Sequence, residues 1–545
     1  MLLDPIRVRW RIRRGNQALR AQVARVRTYL DARPAPADPG PPVWLFNAST
    51  RIHRLSLNGA YALLTGWSLQ AAGVPVRQVV CRSGMLQCTL GAQRQDLASP
   101  PPCTRCMAFS DLLFTGLPTL DLTLHPDATG STRELESLSL SALLAWESGG
   151  IAYGPLVHPT LRWVLRRHDL NDSEPVRRLV RAYLRSAVSL QLQLRAMIER
   201  ERPRAVVVFN GIMFPEAVAR ACARRAGIPA ITHEVGLQPF SAFFSAGEAT
   251  FRDVAVDPVE PLSDAESERL DEYLQGRFTG RFRMAGIDFW PEMQPPPAWL
   301  EARLAGFRQL VVVFTNVVFD TSQVHANTLF RDMFDWLHDV RLAINAHPDT
   351  LFVIRAHPDE DRPGKESQQS VAAWFAESGL RQAANVVFLG PSDYVSSYDL
   401  VRRAKLVLVY NSSVGLEASI AGVPVLCAGR ARYTQVPTVF LPGSRREYGL
   451  ALQALLDAPA IAAPPAFAAN ARRFLHHELF HASLDLGEFL ADEPGLPGMV
   501  LLRAFEPRRL LEAVALTTVR DGILHAVPFR TGRPHVRRTR PPAGL

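Results

Sequence analysis

Short apolar runs alternate along this chain with stretches whose apolar positions recur at helical spacing, the order of buried strands feeding amphipathic helices. Val43 to Phe46 reads as a buried strand, with a polar turn from Asn47 to Thr50 after it. Leu55 to Ala72 has helical periodicity, Gly73-Val74-Pro75 closes it, and Val76 to Val80 is the next strand. A cysteine-bearing stretch and a long, polar, helical region then run to about Glu201. The alternation resumes with Ala205 to Phe209 (strand), Pro215 to Ala226 (helix) and Ala230 to His233 (strand), and Asp264 to Leu274 is helical.

After the prolines at 291, 295, 296 and 297, which mark an interdomain linker, the pattern is cleaner. Leu310 to Phe314, Leu351 to Arg355, Val386 to Leu389, Leu406 to Tyr410 and Pro424 to Cys427 read as strands. Leu329 to Ile344, Ser367 to Ser378, Tyr394 to Arg403 and Val414 to Ala421 read as the helices between them. Strands and helices in strict alternation predict a doubly wound parallel sheet. The expected fold class is α/β, with two Rossmann-like domains facing across a cleft and extra helices at both termini. The expected divisions are a basic leader and Pro-rich linker over 1–42, an acceptor-side domain over 43–290 and a linker over 291–300. A nucleotide-binding domain over 301–460, helices packing back over 461–528 and a disordered basic tail over 529–545 complete the plan.

Composition adds a partner class. The chain has 545 residues, 47% of them apolar, and a formal net charge of +9. That is enough apolar residue to bury real cores. All but two of the 61 basic residues are arginine, the exceptions being Lys365 and Lys405. Biased genome composition accounts for most of this. The excess nonetheless concentrates in Arg7 to Arg27, which has the look of a basic amphipathic helix, and in Arg530 to Arg540. The first fits contact with the inner face of a membrane. No long uncharged apolar run and no secretory leader is present, so a cytoplasmic location is expected. No motif for nucleic acid occurs.

Ligands of open α/β sheets sit beyond the carboxyl ends of the strands. That rule selects two loops. One is Arg355-Ala356-His357-Pro358; the other is Asn411-Ser412-Ser413-Val414-Gly415, followed by Leu416-Glu417. The second opens a helix, so backbone N–H groups, the helix dipole and two hydroxyls point at whatever lies above. Gly415 permits close backbone approach. Glu417 suits ribose hydroxyls, and Arg355 and His357 suit phosphate. Serine caps and a His-Pro turn explain each loop singly; their joint placement on one sheet favours a phosphate-binding site.

These residues resemble a family. Val353-Ile354-Arg355-Ala356-His357-Pro358, Ser412-Ser413-Val414-Gly415-Leu416-Glu417-Ala418, Gly422-Val423-Pro424-Val425, Gly429 and Tyr433 are similar to the capsule polysaccharide biosynthesis glycosyltransferases. The likeness is good over Leu310 to Leu441 and weaker over Ala205 to Gly236. It implies a GT-B fold, metal-independent transfer of a sugar from a nucleotide-sugar donor, and nucleotide binding by His357, Ser412 and Ser413. Arg355 stands where some relatives have lysine, which keeps the charge and alters the geometry. The acceptor would be a surface or capsular polysaccharide or a lipid-linked glycan. By resemblance alone the donor leans towards a cytidine monophosphate sugar, with uridine and guanosine diphosphate sugars open.

Inverting transfer needs a base for the acceptor hydroxyl. Glu234, after the strand ending at His233, is the leading candidate and His233 the second, with Asn210 and Gly211 as cleft wall. A surface carboxylate would look the same. Cys81, Cys88, Cys103 and Cys106 could hold a structural zinc or an iron–sulfur cluster, and free thiols are the alternative. No cofactor is expected to be needed for catalysis. His477-Glu478-Leu479-Phe480-His481 matches the short zinc-protease motif, but Leu484 stands where the extended motif needs glycine. A nucleotide-sugar epimerase of the same fold, a zinc protease and a non-enzymatic export factor are the competing readings.

Overall fold

In the computed structural model the chain is described over residues 5–34, 36–48, 54–91, 93–130, 132–254, 260–279, 283–284, 287–288, 293–496 and 498–532. The expected turn end at 49–50, the linker start at 290–292 and the tail from 533 lie outside these residues.

A long helix, α1 (Pro5–Asp31), leads into β1 (Val43–Phe46), α2 (Leu57–Ala71), β2 (Val76–Cys81), α3 (Cys103–Phe114) and β3 (Thr119–Leu122). Helices α4 (Tyr153–Leu165) and α5 (Glu174–Glu201) follow, then β4 (Ala205–Phe209), α6 (Glu216–Arg225), β5 (Ala230–Val235) and β6 (Ser241–Ser245). Five of these strands are parallel, in the order β3-β2-β1-β4-β5, and β6 pairs antiparallel on β5. The sheet reverses its winding between β1 and β4, which makes it doubly wound.

The second sheet repeats that order. After α7 (Asp264–Phe278) and α8 (Ala298–Ala305) come β7 (Gln309–Phe314), α9 (Met333–Ala346), β8 (Thr350–Arg355), α10 (Val371–Glu377) and β9 (Val386–Leu389). Then come α11 (Ser397–Arg403), β10 (Leu406–Val409), α12 (Val414–Ile420) and β11 (Val425–Cys427). All pairs are parallel and the order is β9-β8-β7-β10-β11, with the switch point between β7 and β10. Residues 310–314 and 351–355 are buried without a break, because helices cover both faces of the sheet.

Helices α13 (Arg445–Asp457) and α14 (Pro465–His477) finish this domain, and the chain then returns. A short β12 (Leu484–Asp485) pairs antiparallel with β6, and α15 (Val514–His525) lies on α2. Leu484, Leu490, Leu510 and Leu516 share one core with Leu45, Leu63 and Trp67. The fold is thus two Rossmann-like α/β domains with a GT-B-like crossover.

Several expected boundaries move. Leu270 and Leu274 of α7 sit in the core of the second domain. The chain has therefore crossed by Ser263, not at the prolines of the 290s. The linker segment is itself pinned to the second domain: Gln294 N donates to the Tyr394 carbonyl, and its carbonyl accepts from Ser396 N, both at 2.8 Å. Nor is the basic leader a separate arm, because Leu19, Val23 and Val26 of α1 are buried in the first core. That apolar face meets protein, which leaves the exposed arginines as its outward side. The tail stays attached as far as Thr531, whose N–H donates to the His481 carbonyl at 2.9 Å. Among the described residues no helix is long and apolar enough to cross a membrane.

Candidate active site between the two domains

The carboxyl ends of β7, β8 and β10 all open onto one place. Thr315 follows β7, Ala356, His357 and Pro358 follow β8, and Ser412 and Ser413 follow β10. Together with Arg277, Ser397, Tyr398 and Glu417 they line a cavity of ≈ 120 Å³. A second cavity of ≈ 240 Å³ adjoins it, sharing Arg277, His357, Ser412, Ser413 and Glu417. Its far wall includes Leu237, Thr250 and Phe251 from the first domain and Arg430 and Arg432 from the loop after β11. The two strand-end loops selected from sequence thus meet in one interdomain pocket. A larger cavity of ≈ 650 Å³ lies in the first domain, lined by Trp146, Tyr153, Gln191, Arg195 and Arg225 among others. It reaches the carboxyl end of α6, the rim opposite the strand ends, and so lies away from this chemistry.

His357 is set up as a neutral donor. Asp359 N donates to its Nδ1 at 3.1 Å. The proton of the neutral ring therefore sits on Nε2. Burial holds its pKa below the ordinary histidine value, outweighing Asp359 and Asp320. Arg355 is 2% exposed and donates through Nη1 to the Gly390 carbonyl. Burial lowers its pKa to about 10, so it stays cationic at neutral pH.

The loop after β10 departs from expectation in two ways. A Cβ on Gly415 would stand 2.5 Å from the Tyr433 hydroxyl, and that hydroxyl donates to the Ser412 carbonyl at 2.7 Å. The close approach that glycine allows is made by Tyr433, which braces the loop. Glu417 is not an open ribose acceptor either. It is 4% exposed, takes the Tyr398 hydroxyl at 2.6 Å and pairs with Arg277. Burial opposes the charge on Arg277, but the Glu417 carboxylate outweighs it and raises the arginine pKa. The pair fixes a permanent cation in the pocket wall. Ser413 is the N-cap of α12 yet makes no side-chain capping bond, so its exposed hydroxyl remains for a ligand.

Across the gap, Glu234 and His233 point to opposite faces of β5, as neighbouring strand residues must. Glu234 accepts from Asn210 Nδ2 at 2.7 Å and from Val235 N at 2.9 Å. Burial still raises its pKa above the usual carboxylate range. Half-buried, it is not among the residues that line either cavity, though the charges of Asp320 and Arg432 of the second domain reach it. His233 lies deeper. It is 2% exposed among Tyr61, Phe209 and Phe244, with ring centroids 6.3, 6.0 and 5.5 Å away. Burial drives its pKa down to about 3. A core histidine so held cannot serve as the base, and that candidate is withdrawn. Asn210 takes a left-handed backbone (φ 59°), and its Oδ1 accepts from Ile212 N at 3.1 Å. Both side-chain ends are used to aim Glu234, so Asn210 positions the carboxylate rather than walling the cleft. Gly211 beside it (φ 82°) completes the turn.

Sequence reasoning missed Arg277, Tyr398, Arg430 and Arg432. The last two follow β11, and the strand-end rule could have found them. Arg277 arrives on a helix remote in sequence and gives no local signal.

The four cysteines do gather, around a small cavity that they line with Met85, Pro101 and Pro102. Gly84 N donates to Cys81 Sγ at 3.3 Å. Burial and the neighbouring thiols raise Cys106 to about 12 and Cys88 to about 11, with backbone donors opposing in Cys88. Among the described residues, groups of three or more ligand atoms within 4.8 Å of one another are Glu266/His476/His481 and His168/Asp169/Asp332, and the cysteines form none. A single tetrahedral zinc, bonded to sulfur at about 2.3 Å, holds its thiolates closer together than that. As placed they do not fit mononuclear zinc. The protease motif fails too: Glu478 is 1% exposed and paired with Arg252, and His481 groups with His476 and Glu266 rather than with the motif's His477.

Over residues 299–436 the chain matches the family described as "Capsule polysaccharide biosynthesis protein". No curated protein matches it significantly. Among solved structures, the KpsC β-Kdo 2,7-transferase of Thermosulfurimonas dismutans is 15% identical over 55% of this chain and 84% of its own, with a TM-score of 0.31. The β-Kdo 2,4-transferase of the same organism is 14% identical over 52% and 81%, TM-score 0.34. A UDP-GlcNAc 2-epimerase of Neisseria meningitidis bound to UDP-GlcNAc is 11% identical over 80% and 99%, TM-score 0.24. Scores at this level carry no argument about mechanism.

Proposed function

Residues 299–436 form a domain of the capsule polysaccharide biosynthesis family, and from that premise we propose that the chain is a glycosyltransferase of capsule polysaccharide synthesis. The donor is a nucleotide sugar, seated in the interdomain pocket. The observation that carries this reading is the meeting of three strand-end loops with the guanidinium groups of Arg277, Arg430 and Arg432 in one interdomain pocket. His357 Nε2–H, Ser413 and Arg277 bind the donor phosphate, with Arg430 and Arg432 completing a basic wall. Fixed donors aimed at charge that grows on the leaving group are an efficient means of stabilising it, and this is the basis for a transfer that uses no metal in the pocket.

Glu234 takes the proton of the acceptor hydroxyl as that oxygen bonds to the anomeric carbon. The bond to the donor phosphate oxygen breaks, and the nucleotide leaves with the electron pair. Asn210 holds Glu234 towards the cleft. The acceptor is a growing polysaccharide or lipid-linked glycan, and the exposed arginines of α1 suit contact with an anionic membrane surface. The cysteines, too widely spread for one zinc and gathered round a cavity of only ≈ 20 Å³, are assigned to free buried thiols, for which iron, zinc and sulfide analysis of anaerobically purified protein is the test.

Thermal-shift titration of cytidine, uridine and guanosine nucleotides against His357→Ala and Glu234→Gln tests the assignment. The His357 variant should lose the shift that the parent shows. The Glu234 variant should keep it while turnover falls by about 10²–10⁴-fold. Unchanged affinity of the His357 variant for every nucleotide would reject the pocket. Conversion of the donor sugar without any acceptor would replace transfer by the epimerase reading.

A further inference from the structure

The histidines near the carboxyl end make a different site from the one their motif suggests. Helix α14 ends at His477 and runs into a single π turn, Glu478–Ala482. On a regular α-helix, residues five apart are turned about 140° from each other. The i→i+5 register of a π turn brings them to one side, and such turns recur at functional sites. Here it sets the rings of His476 and His481 with centroids 5.3 Å apart. Glu266, in the first turn of α7, completes the group. One ligand atom from each of Glu266, His476 and His481 lies within 4.8 Å of the others.

Each residue keeps an atom in reserve. His481 Nδ1 is 2.8 Å from the Thr531 carbonyl, which can only accept, so the proton is on Nδ1 and the Nε2 lone pair is open. A carbonyl that fixes the tautomer in this way is the usual companion of a metal-bound histidine. His476 is 3% exposed, and its Nε2 is buried with no hydrogen-bond partner. An unsatisfied buried nitrogen is costly and asks for a ligand. Glu266 takes Ser263 N at 2.9 Å and Ser263 Oγ at 2.8 Å, both on Oε2, which leaves Oε1.

We propose that Glu266, His476 and His481 bind one divalent transition-metal ion. Two imidazoles and one carboxylate suit zinc, cobalt, nickel or ferrous iron, whereas magnesium and calcium want oxygen ligands. The field points the same way. Hard, charge-driven binding is disfavoured here, since Arg269, its guanidinium 3.9 Å from the Phe480 ring centre, opposes any cation, so binding rests on imidazole coordination rather than on negative charge. The ion ties α7 to the π turn and, through the His481–Thr531 bond, to the returning carboxyl-terminal segment. It sits behind the pocket wall, since Leu475 and Glu478 next to His476 line the interdomain cavity. It is a clip and takes no part in the transfer step.

The full chain, stripped with a chelator, is titrated with Co²⁺ and separately with Zn²⁺. Cobalt should give visible ligand-field bands without the near-ultraviolet thiolate charge-transfer band. Those bands should survive Cys103→Ser/Cys106→Ser and vanish in His481→Ala. Zinc should raise the melting midpoint of the parent with its concentration, as a ligand of the folded state must. It should fail to do so for Glu266→Gln, which keeps the capping box and hence the helix start. A thiolate band that persists in His481→Ala, or an equal zinc shift in Glu266→Gln, overturns the site.

Discussion

Glu360 shows how a single residue couples the pocket to the stability of the fold. It is 1% exposed in the turn after His357-Pro358, and both its oxygens accept from Val371 N, at 3.2 and 3.3 Å. Burial pushes its pKa up to about 8. The unfolded value is about 4.3, so between the two the folded chain holds a proton that the unfolded chain has released. Stability is then fullest below the unfolded value. It declines as pH rises, by at most about 1.4 kcal/mol per pH unit, and levels off above the folded pKa. Glutamine keeps an acceptor for Val371 and has no proton to lose. Denaturant midpoints measured from about pH 5 to 8.5 should fall more steeply for the parent than for Glu360→Gln, with the variant the more stable at the alkaline end. Parallel profiles would mean that Glu360 ionises without penalty. At this scale the sequence was legible where a residue follows a strand end, as His357 and Ser412 do. It was not legible where the partner comes from afar: nothing near Arg277 announces Glu417, or near Glu266 announces His476. Strand alternation sets His233 and Glu234 on opposite faces but could not choose between them, because both faces are covered: Ile231 is buried on one side, and Ala230 and Thr232 on the other.

At the level of elements, the loop opening α12 depends on a brace rather than on its own sequence. A helix of seven residues is far below the length that is stable alone. Tyr433 holds its first turn through the Ser412 carbonyl, and only glycine at 415 leaves room for that ring. Gly415→Ala should therefore lower nucleotide affinity by about tenfold or more while the rest of the fold survives. Tyr433→Phe removes the atom that clashes. It also removes the bracing hydroxyl, so if the brace is the mechanism Tyr433→Phe alone will weaken calorimetric binding and Gly415→Ala/Tyr433→Phe will lose less than the sum of the two single variants, a coupling that a double-mutant cycle reads directly. Additive losses would place the two residues in separate roles. The same contrast explains which elements could be foreseen. The five parallel strands of the second domain are buried on both faces and read as continuous apolar runs. Strands β3, β6 and β12 were not foreseen. They are short and lie towards the sheet edges; β3 and β12 carry exposed positions that blur the apolar signal, and β6, though buried, frames its three apolar residues with Ser241 and Ser245.

Among the described residues the two domains meet at two places, and the chain backs up only one of them. Near the crossings before Ser263 and after Ala482, Arg252 pairs with Glu478, Leu237 N donates to Ser483 Oγ at 3.0 Å, and Glu248 lies between Arg220 and His325. These contacts adjoin the polypeptide connections, so this side can bend but not part. The other contact has no covalent support. There Gln369 Oε1 accepts from His168 N and Asp169 N, each at 3.1 Å, its Nε2 donates to Asp169 at 3.2 Å, and Gln368 N donates to the Arg166 carbonyl at 2.9 Å. Polar contacts of this kind contribute only about 0.5–1.5 kcal/mol each. An interface so made can open on the microsecond-to-millisecond scale typical of hinged domains. In the proposed reaction the donor phosphate sits against loops of the second domain while Glu234 belongs to the first, so that transfer would require the closed arrangement and product release an open one. Gln369→Ala removes three hydrogen bonds of this contact without touching the pocket, and leaves Gln368 N on the Arg166 carbonyl, Arg166 Nη2 on the Gly364 carbonyl and Arg94 Nη1 on the Glu366 carbonyl. Small-angle scattering of the nucleotide-free variant should show a larger radius of gyration than the parent, and saturating nucleotide should narrow the difference. Nucleotide dissociation should speed up while association changes little, so Kd rises in proportion to the off-rate. Superimposable scattering curves with and without Gln369 would instead mean that the crossings alone set the angle between the domains.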